Sequence, residues 1–360
     1  RKNYLSDLQA MVERDYNHPS VVMYSIGNEV SEPAKEEGVE KTRQMVAFLK
    51  TADGTRPVTG GFNLMIIANA KKGKGIYKEE GGMNVDSDKA VSGMNSTMFN
   101  FIASMVGTGM NSSANSKAAD LATTPCLDAL DMAGYNYASG RYPLEGKAHP
   151  ERLIYGSETF PQDIAKNWAM AKRYPYLIGD FMWTAWDYLG EVGLGAWAYS
   201  KDGAGFNKPY PWLLADTGAF DIIGTPNGEI FHAQAVWGLL RQPAIAVQPV
   251  NHPGRTPAKM AWRGTNAMAS WAWHNCEGNK AVVEVFFDAA KIELLLNGKS
   301  LGVKKVKDCK ASFKTKYIPG KLEAIAYDAS GAEISKSKLE SATGKAHLIA
   351  AAETPTADPG

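Results

Sequence analysis

The sequence predicts an α/β domain built on a parallel sheet, followed by an all-β domain. Up to about residue 242, short apolar runs alternate with stretches of helical periodicity. Strands that take turns with helices form parallel sheets, because each return needs a crossover. After Gln242 the helical pattern stops, and Pro243, Pro249, Pro253 and Pro257 mark a linker over 243–258. Short alternating runs then follow, separated by Asn297-Gly298, Pro319-Gly320 and Ser330-Gly331. About seven short strands at such spacing predict an immunoglobulin-like β-sandwich over 259–350, with 351–360 a tail or linker.

The first element is a helix from Tyr4 to Arg14, with Tyr4, Leu8, Met11 and Val12 on one face. Asn17-His18-Pro19-Ser20 breaks it. Val21 to Ile26 reads as a strand buried on both faces. A second amphipathic helix spans Glu36 to Lys50. Further strands are expected at Arg56–Phe62, Met132–Tyr137, Leu153–Ser157 and Gly179–Trp186. Each ends on a polar or aromatic residue, where barrel enzymes place their chemistry. An open doubly wound sheet is the alternative, but no glycine-rich phosphate turn follows any strand. The stretch from Met65 to Thr124 is too long for an ordinary connection and reads as an insertion near the site rim or a mobile loop, with a tolerated surface excursion expected ahead of a direct substrate role. In the second domain, strands are expected at Ser270–His274, Val282–Phe287, Ile292–Leu296 and Leu322–Tyr327.

Composition excludes several classes. The net charge is +1, so nothing marks a nucleic-acid or anionic-membrane surface. No run approaches the roughly 20 apolar residues of a membrane span. Cys126, Cys276 and Cys309 form no CxxC, which leaves a zinc site unsupported. Pairing of Cys276 with Cys309 is open, but isolated buried thiols suit the spacing better. The run Lys71-Lys72-Gly73-Lys74 reads as solvated surface, and His18, His149 and His232 as structural or loop residues. No organic cofactor and no metal is called for. The 9 Trp and 15 Tyr offer flat apolar faces that suit sugar rings, although large cores use them too.

Two carboxylates stand at strand tips. One is Glu29 in Ser25-Ile26-Gly27-Asn28-Glu29-Val30, and the other is Glu158 in Tyr155-Gly156-Ser157-Glu158-Thr159. Glycoside hydrolysis needs such a pair, one to protonate the leaving oxygen and one to attack the anomeric carbon or activate water. They are far apart in sequence and can meet only through the fold. In a barrel all strand tips face one pocket, and the interval from Gly61 to Tyr137 is the one that greatly exceeds the roughly 31 residues of a barrel unit. Each glutamate taken alone is also a plausible helix-start acid; the pair in register is what favours chemistry.

At these residues the sequence resembles glycoside hydrolase family 2. Gly27-Asn28-Glu29 is similar to the family's acid/base motif at barrel strand 4, and Glu158 to its nucleophile at strand 7. Trp183-Thr184-Ala185-Trp186-Asp187-Tyr188-Leu189-Gly190-Glu191 is similar to the strand-8 signature of its β-galactosidase-like members. Leu294 to Gly302 resembles the sandwich that follows the barrel in many bacterial members. The resemblance implies that residues 1–242 are a partial (β/α)8 TIM barrel, strands 4 to 8, with three strands and two β domains ahead of Arg1. It implies that Asn28 bonds the sugar's 2-hydroxyl and that Tyr137 holds the nucleophile. It also implies that Trp183 or Trp186 floors the sugar and that Asp187 binds a hydroxyl. On a strand, Trp183 and Trp186 would face opposite ways, so at most one is expected to serve.

The expected function is a retaining exo-β-glycosidase, β-galactosidase-like, acting on a carbohydrate substrate, with weak or no activity expected of this truncated piece by itself. Thr159-Phe160-Pro161 after Glu158 lacks the Asn-x-Lys pattern of a carboxylate-binding site, which sets β-glucuronidase second. A non-catalytic carbohydrate-binding remnant is the reading outside catalysis. The resemblance further implies an outward address, periplasmic or secreted. Completion of the barrel by a preceding segment, or homo-oligomerisation, would cover its open edges.

Overall fold

The computed structural model describes residues 3–73, 106–199, 208, 210–342, 344–345 and 347–351. Five strands, β1 (Tyr24–Asn28), β2 (Val58–Phe62), β3 (Met132–Asn136), β4 (Ile154–Thr159) and β5 (Leu177–Met182), form one parallel sheet in chain order. The order β1-β2-β3-β4-β5 steps one strand at a time, as in a barrel wall, whereas a doubly wound sheet reverses direction. Its register places Asn28 beside Gly61, Gly61 beside Gly134, and Asn136 beside Glu158. The strand tips therefore form one rim.

Helix α1 (Tyr4–Asp15) buries Leu8 and Val12 against Tyr24 and Val58, with Tyr4 and Met11 at the edge of the cluster. It is the face read from the spacing. Helix α2 (Glu36–Ala52) buries Val39, Val46 and Leu49 through the same periodicity. Helices α3 (Leu64–Lys71) and α4 (Lys117–Leu127) pack together over the sheet. Helices α5 (Tyr142–Ala148) and α6 (Ile164–Arg173) follow β3 and β4.

Three expectations need correction. The segment from Met65 to Thr124 is not a surface excursion at its ends. Leu64, Ile66 and Ile67 are wholly buried, and Met110 and Asn111 lie inside the barrel domain. The first five residues of α3, 64–68, are all apolar, so it lacks the amphipathic stripe that marks a surface helix. Residues 74–105, which contain the centre of this stretch and Lys74, lie outside the described residues. Strand β5 ends at Met182, so Trp183 and Trp186 lie beyond it and strand alternation does not govern them. The first strand starts at Tyr24, three residues later than its apolar run.

Strands β6 (Ala198–Tyr199) and β8 (Pro257–Ala258) pair as a short antiparallel ladder. In the C-terminal region two antiparallel sheets enclose one core. One has the order β11-β10-β13-β14, from Lys299–Lys305, Lys291–Leu296, Lys321–Tyr327 and Glu333–Glu340. The other has β12-β9-β7, from Lys310–Lys316, Lys280–Phe286 and Ala244–Val247. Ile292, Leu294, Val283, Val285, Phe313, Leu322 and Ala324 meet between them. Asn297 and Gly298 both take positive φ, 51° and 79°, as a two-residue hairpin between β10 and β11 requires. Ala244–Val247 lies in the stretch read as linker, yet it pairs with β9, because an apolar tetrapeptide beside an open strand edge finds partners despite nearby prolines. Ser270–His274 is not a strand; its Trp271 instead fills the core, with its indole donating to the Ile318 carbonyl at 3.1 Å. Helix α7 (Gly228–Val236) joins the two regions, and His232 Nε2 lies 2.6 Å from the Asp308 carbonyl. All three cysteines are free thiols, and Cys126 and Cys276 are buried.

Candidate active site

The rim of the sheet is built by a repeated backbone device. Just past β1, Glu29 donates its N–H to the Gly61 carbonyl at 2.8 Å and turns with φ of +49°. Just past β3, Tyr137 donates to the Glu158 carbonyl at 2.8 Å and turns with φ of +50°. In each case the chain takes one more ladder bond from its neighbour and then bends left-handed. A side chain in that conformation costs about 1–2 kcal/mol, a cost that recurs at functional sites.

Asn136 links the tips. Its amide nitrogen donates to Asn28 Oδ1 at 3.0 Å and to Glu158 Oε2, while its Oδ1 accepts from Ser157 Oγ at 2.6 Å. Asn63 serves Glu29 from the other side, with Nδ2 donating to Oε1 at 3.0 Å. The same side chain caps α3, because its Oδ1 accepts from the Met65 N–H at 3.2 Å. Gly61 lies beneath this network. A Cβ there would come within 2.9 Å of Asn28 Oδ1 and 3.1 Å of Asn136 Oδ1, so only glycine leaves room for the bridge.

Burial pushes the carboxyl of Glu29 above its ordinary range, against the amide bonds it receives. Glu158 is pushed up to about 8, by burial first and then by the charges of Glu29 and Glu191. Two half-buried carboxyls that feel each other cannot both ionise easily, so the pair holds a proton into the neutral range. The Tyr137 hydroxyl is likewise pushed up, by burial and by the charges of Glu158 and Glu29.

Of the residues singled out in the sequence, Asn28, Glu29, Tyr137 and Glu158 meet at this rim. Trp183 stands beside them: its N–H donates to the Thr159 carbonyl at 2.9 Å, and its ring packs on the cluster of Tyr137, Phe160 and Trp262. Trp186 does not join. It is 53% exposed, lies against Phe220 at 5.5 Å, and its indole points to the Ile222 carbonyl. Asp187 is buried and fastens the loop, accepting the Thr217 N–H at 3.2 Å while its own N–H donates to the Phe220 carbonyl.

Sequence reading missed Asn63, Asn136, Ser157, Glu191 and Trp262. Asn136 could have been found, because it precedes Tyr137 at a strand tip as Asn28 precedes Glu29. Glu191 lies within the quoted strand-8 signature; its carboxylate accepts from the Tyr188 hydroxyl. Trp262 comes from beyond the barrel and gave no signal. Among the described residues, no group of three His, Cys, Asp or Glu side chains is placed to hold a metal.

Glu29 and Glu158 stand on the tips of parallel strands, and the Asn136 amide ties Glu158 to Asn28, the neighbour of Glu29. Residues 1–91 match the TIM barrel domain of glycosyl hydrolases family 2, and residues 278–335 match a domain of unknown function, DUF4982. A β-galactosidase of Bacteroides ovatus is 24% identical over 89% of this chain and 36% of its own length. A protein of Formosa agariphila with a provisional β-glucuronidase name is 26% identical over 89% of this chain and 28% of its own. A crystal structure of a family 2 member from Bacteroides cellulosilyticus superposes with a TM-score of 0.70 at 30% identity, covering 95% of this chain and 38% of that one. The match to glycoside hydrolase family 2 thus lies in the barrel domain over residues 1–91, and the structural likeness to a family member extends over 95% of the chain. The chain spans about a third of the length of these relatives.

Proposed function

We propose that this chain carries the reacting carboxylates of a retaining exo-β-glycosidase that acts on neutral, β-galactoside-like sugars. The observation that carries the reading is the Asn136 amide, which ties the Glu158 carboxylate to the tip that presents Asn28 and Glu29. Glu158, ionised, attacks the anomeric carbon while Glu29 gives its proton to the departing oxygen as the glycosidic bond breaks. Glu29 then takes a proton from water, whose oxygen displaces Glu158 and restores the original configuration. With Glu29 protonated, Glu158 is relieved of the largest charge it faces, and the Asn136 bond favours its ionised form. Asn28 is exposed and its carbonyl oxygen is held, so its amide hydrogens are the end left to meet a sugar hydroxyl. Trp183 is the ring best placed to lie under the sugar.

The named relatives include both a β-galactosidase and a provisional β-glucuronidase. The Glu191 charge felt at Glu158 favours the neutral sugar, since an acidic one would bring a further carboxylate beside it. The five strands are read as the last five of an eight-stranded barrel. The half-exposed Ile178 and Phe181 on edge strand β5 are then covered by preceding strands in the intact protein. The two C-terminal sheets are read as an immunoglobulin-like sandwich.

The test is to treat the intact protein with a fluorinated β-galactoside that traps glycosyl-enzymes, then map the adduct by mass spectrometry. A label on Glu158 supports the reading. A label on another residue, or none with any neutral or acidic fluoro-sugar, overturns it.

A further inference from the structure

We propose that Asn63 is a positioning residue that sets which oxygen of Glu29 carries the proton given to the departing sugar oxygen. The inference rests on the glycosidase reading for its consequence, but not for its geometry. Asn63 stands one residue past β2 and directly ahead of α3, and it is 3% exposed. Its side chain is engaged at both ends. Oδ1 accepts the Met65 N–H at 3.2 Å, one of the N–H groups that a helix start leaves without an intrahelical partner. That bond fixes which way the amide faces, because its oxygen is the only end that can accept. Nδ2 is therefore turned to Glu29, and it donates to Oε1 at 3.0 Å. An amide nitrogen has protons to give and accepts none. A proton placed on Oε1 would weaken that oxygen as an acceptor, so the acid form of Glu29 carries its proton on Oε2.

Both partners are held. The Glu29 N–H donates to the carbonyl of Gly61, two residues before Asn63, so acid and amide ride on one strand tip. On the other side, Leu64 and Ile67 of α3 are wholly buried in one cluster with Phe62, Ala133 and Tyr135, which keeps the cap in place. A donor to a carboxylate favours its ionised form. Asn63 thereby works against the burial that raises Glu29, and keeps it a stronger acid. The titratable groups that face this pair from neighbouring elements are Glu158 on β4 and Tyr137 past β3. The long stretch that begins at Met65 is by this cap tied to the chemistry.

The test uses Asn63→Ser and Asn63→Asp in the intact protein. Serine and aspartate are both good helix caps, so α3 keeps its start in each. Serine has no N–H to reach Glu29, and aspartate puts an acceptor where the donor was. Asn63→Ser is expected to lower kcat/KM about tenfold for an alkyl β-galactoside, whose leaving oxygen needs the proton. For a dinitrophenyl β-galactoside, whose leaving group departs without it, the loss should stay within about threefold. The basic limb of kcat/KM, where Glu29 gives up its proton, should move up by about one pH unit. Asn63→Asp should do at least as much on both counts, because a second carboxyl beside Glu29 raises it further. Equal losses for the two substrates, or an unmoved basic limb in Asn63→Ser, overturn the proposal. Carbon-13 titration of the Glu29 carboxyl gives a readout independent of turnover: its pKa should rise in Asn63→Ser, and equality with the parent overturns the proposal. If the parent forms no adduct at Glu158, the glycosidase reading fails while this titration still decides whether Asn63 governs the Glu29 proton.

Discussion

Replacing Asn136 with alanine removes the bond to Glu158, the bond to Asn28 and the bond from Ser157 in one step. The first decides activity. Burial and the charges of Glu29 and Glu191 drive Glu158 to about 8, and the Asn136 amide opposes them. A hydrogen bond to a charged acceptor is worth about 1.5–3 kcal/mol, equivalent to about one to two pH units. The acid limb of kcat/KM in the intact site is set by Glu158, and Asn136→Ala should move it up by about one to two pH units. At neutral pH that shift alone lowers kcat/KM about tenfold or more, with a smaller deficit in alkaline buffer. Release of Asn28 adds a loss that does not depend on pH. The assay is kcat/KM for an aryl β-galactoside between about pH 5 and 9. An acid limb that stays in place, or moves to lower pH, would refute the role given to Asn136.

Glu158→Gln tests the same burial through stability. A carboxyl raised from its ordinary 4.5 to about 8 keeps its proton in the folded state where the unfolded chain has lost it. Stability is then full below about 4.5 and declines as pH rises toward 8. The glutamine variant should match the parent in melting temperature near the lower pH and exceed it by a few degrees near the upper one; equal melting at both would count against a buried, proton-holding Glu158. Gly61→Ala should cost about 1–3 kcal/mol in denaturant unfolding and most of the activity, because its methyl would press on Asn28 and Asn136; near-normal kcat would show the bridge to be dispensable. Trp186→Ala should leave kcat/KM within about threefold of the parent, whereas Trp183→Ala should reduce it by about a hundredfold; the reverse order would return Trp186 to the sugar site.

What the sequence determined on its own was local or periodic. The apolar faces of α1 and α2, the buried runs of the sheet strands and the Asn297-Gly298 turn follow from spacing and backbone preference, which neighbours in the chain decide. Glu29 and Glu158 could be singled out for the same reason: a carboxylate at the end of an apolar strand is visible in a short window. The end of β5 at Met182 was not visible, because Trp183 and Trp186 are strand formers and only the bonds of the following loop show where pairing stops. Only tertiary structure decided what surrounds the carboxylates. Asn63 is an ordinary helix cap until the fold brings Glu29 to its amide, and Asn136 is one more strand residue until the register sets it between Asn28 and Glu158. Trp262 lies just past the prolines at 243, 249, 253 and 257, in a stretch with no periodicity. Its place against Tyr137 arises from long-range packing, which strand and helix patterns do not encode.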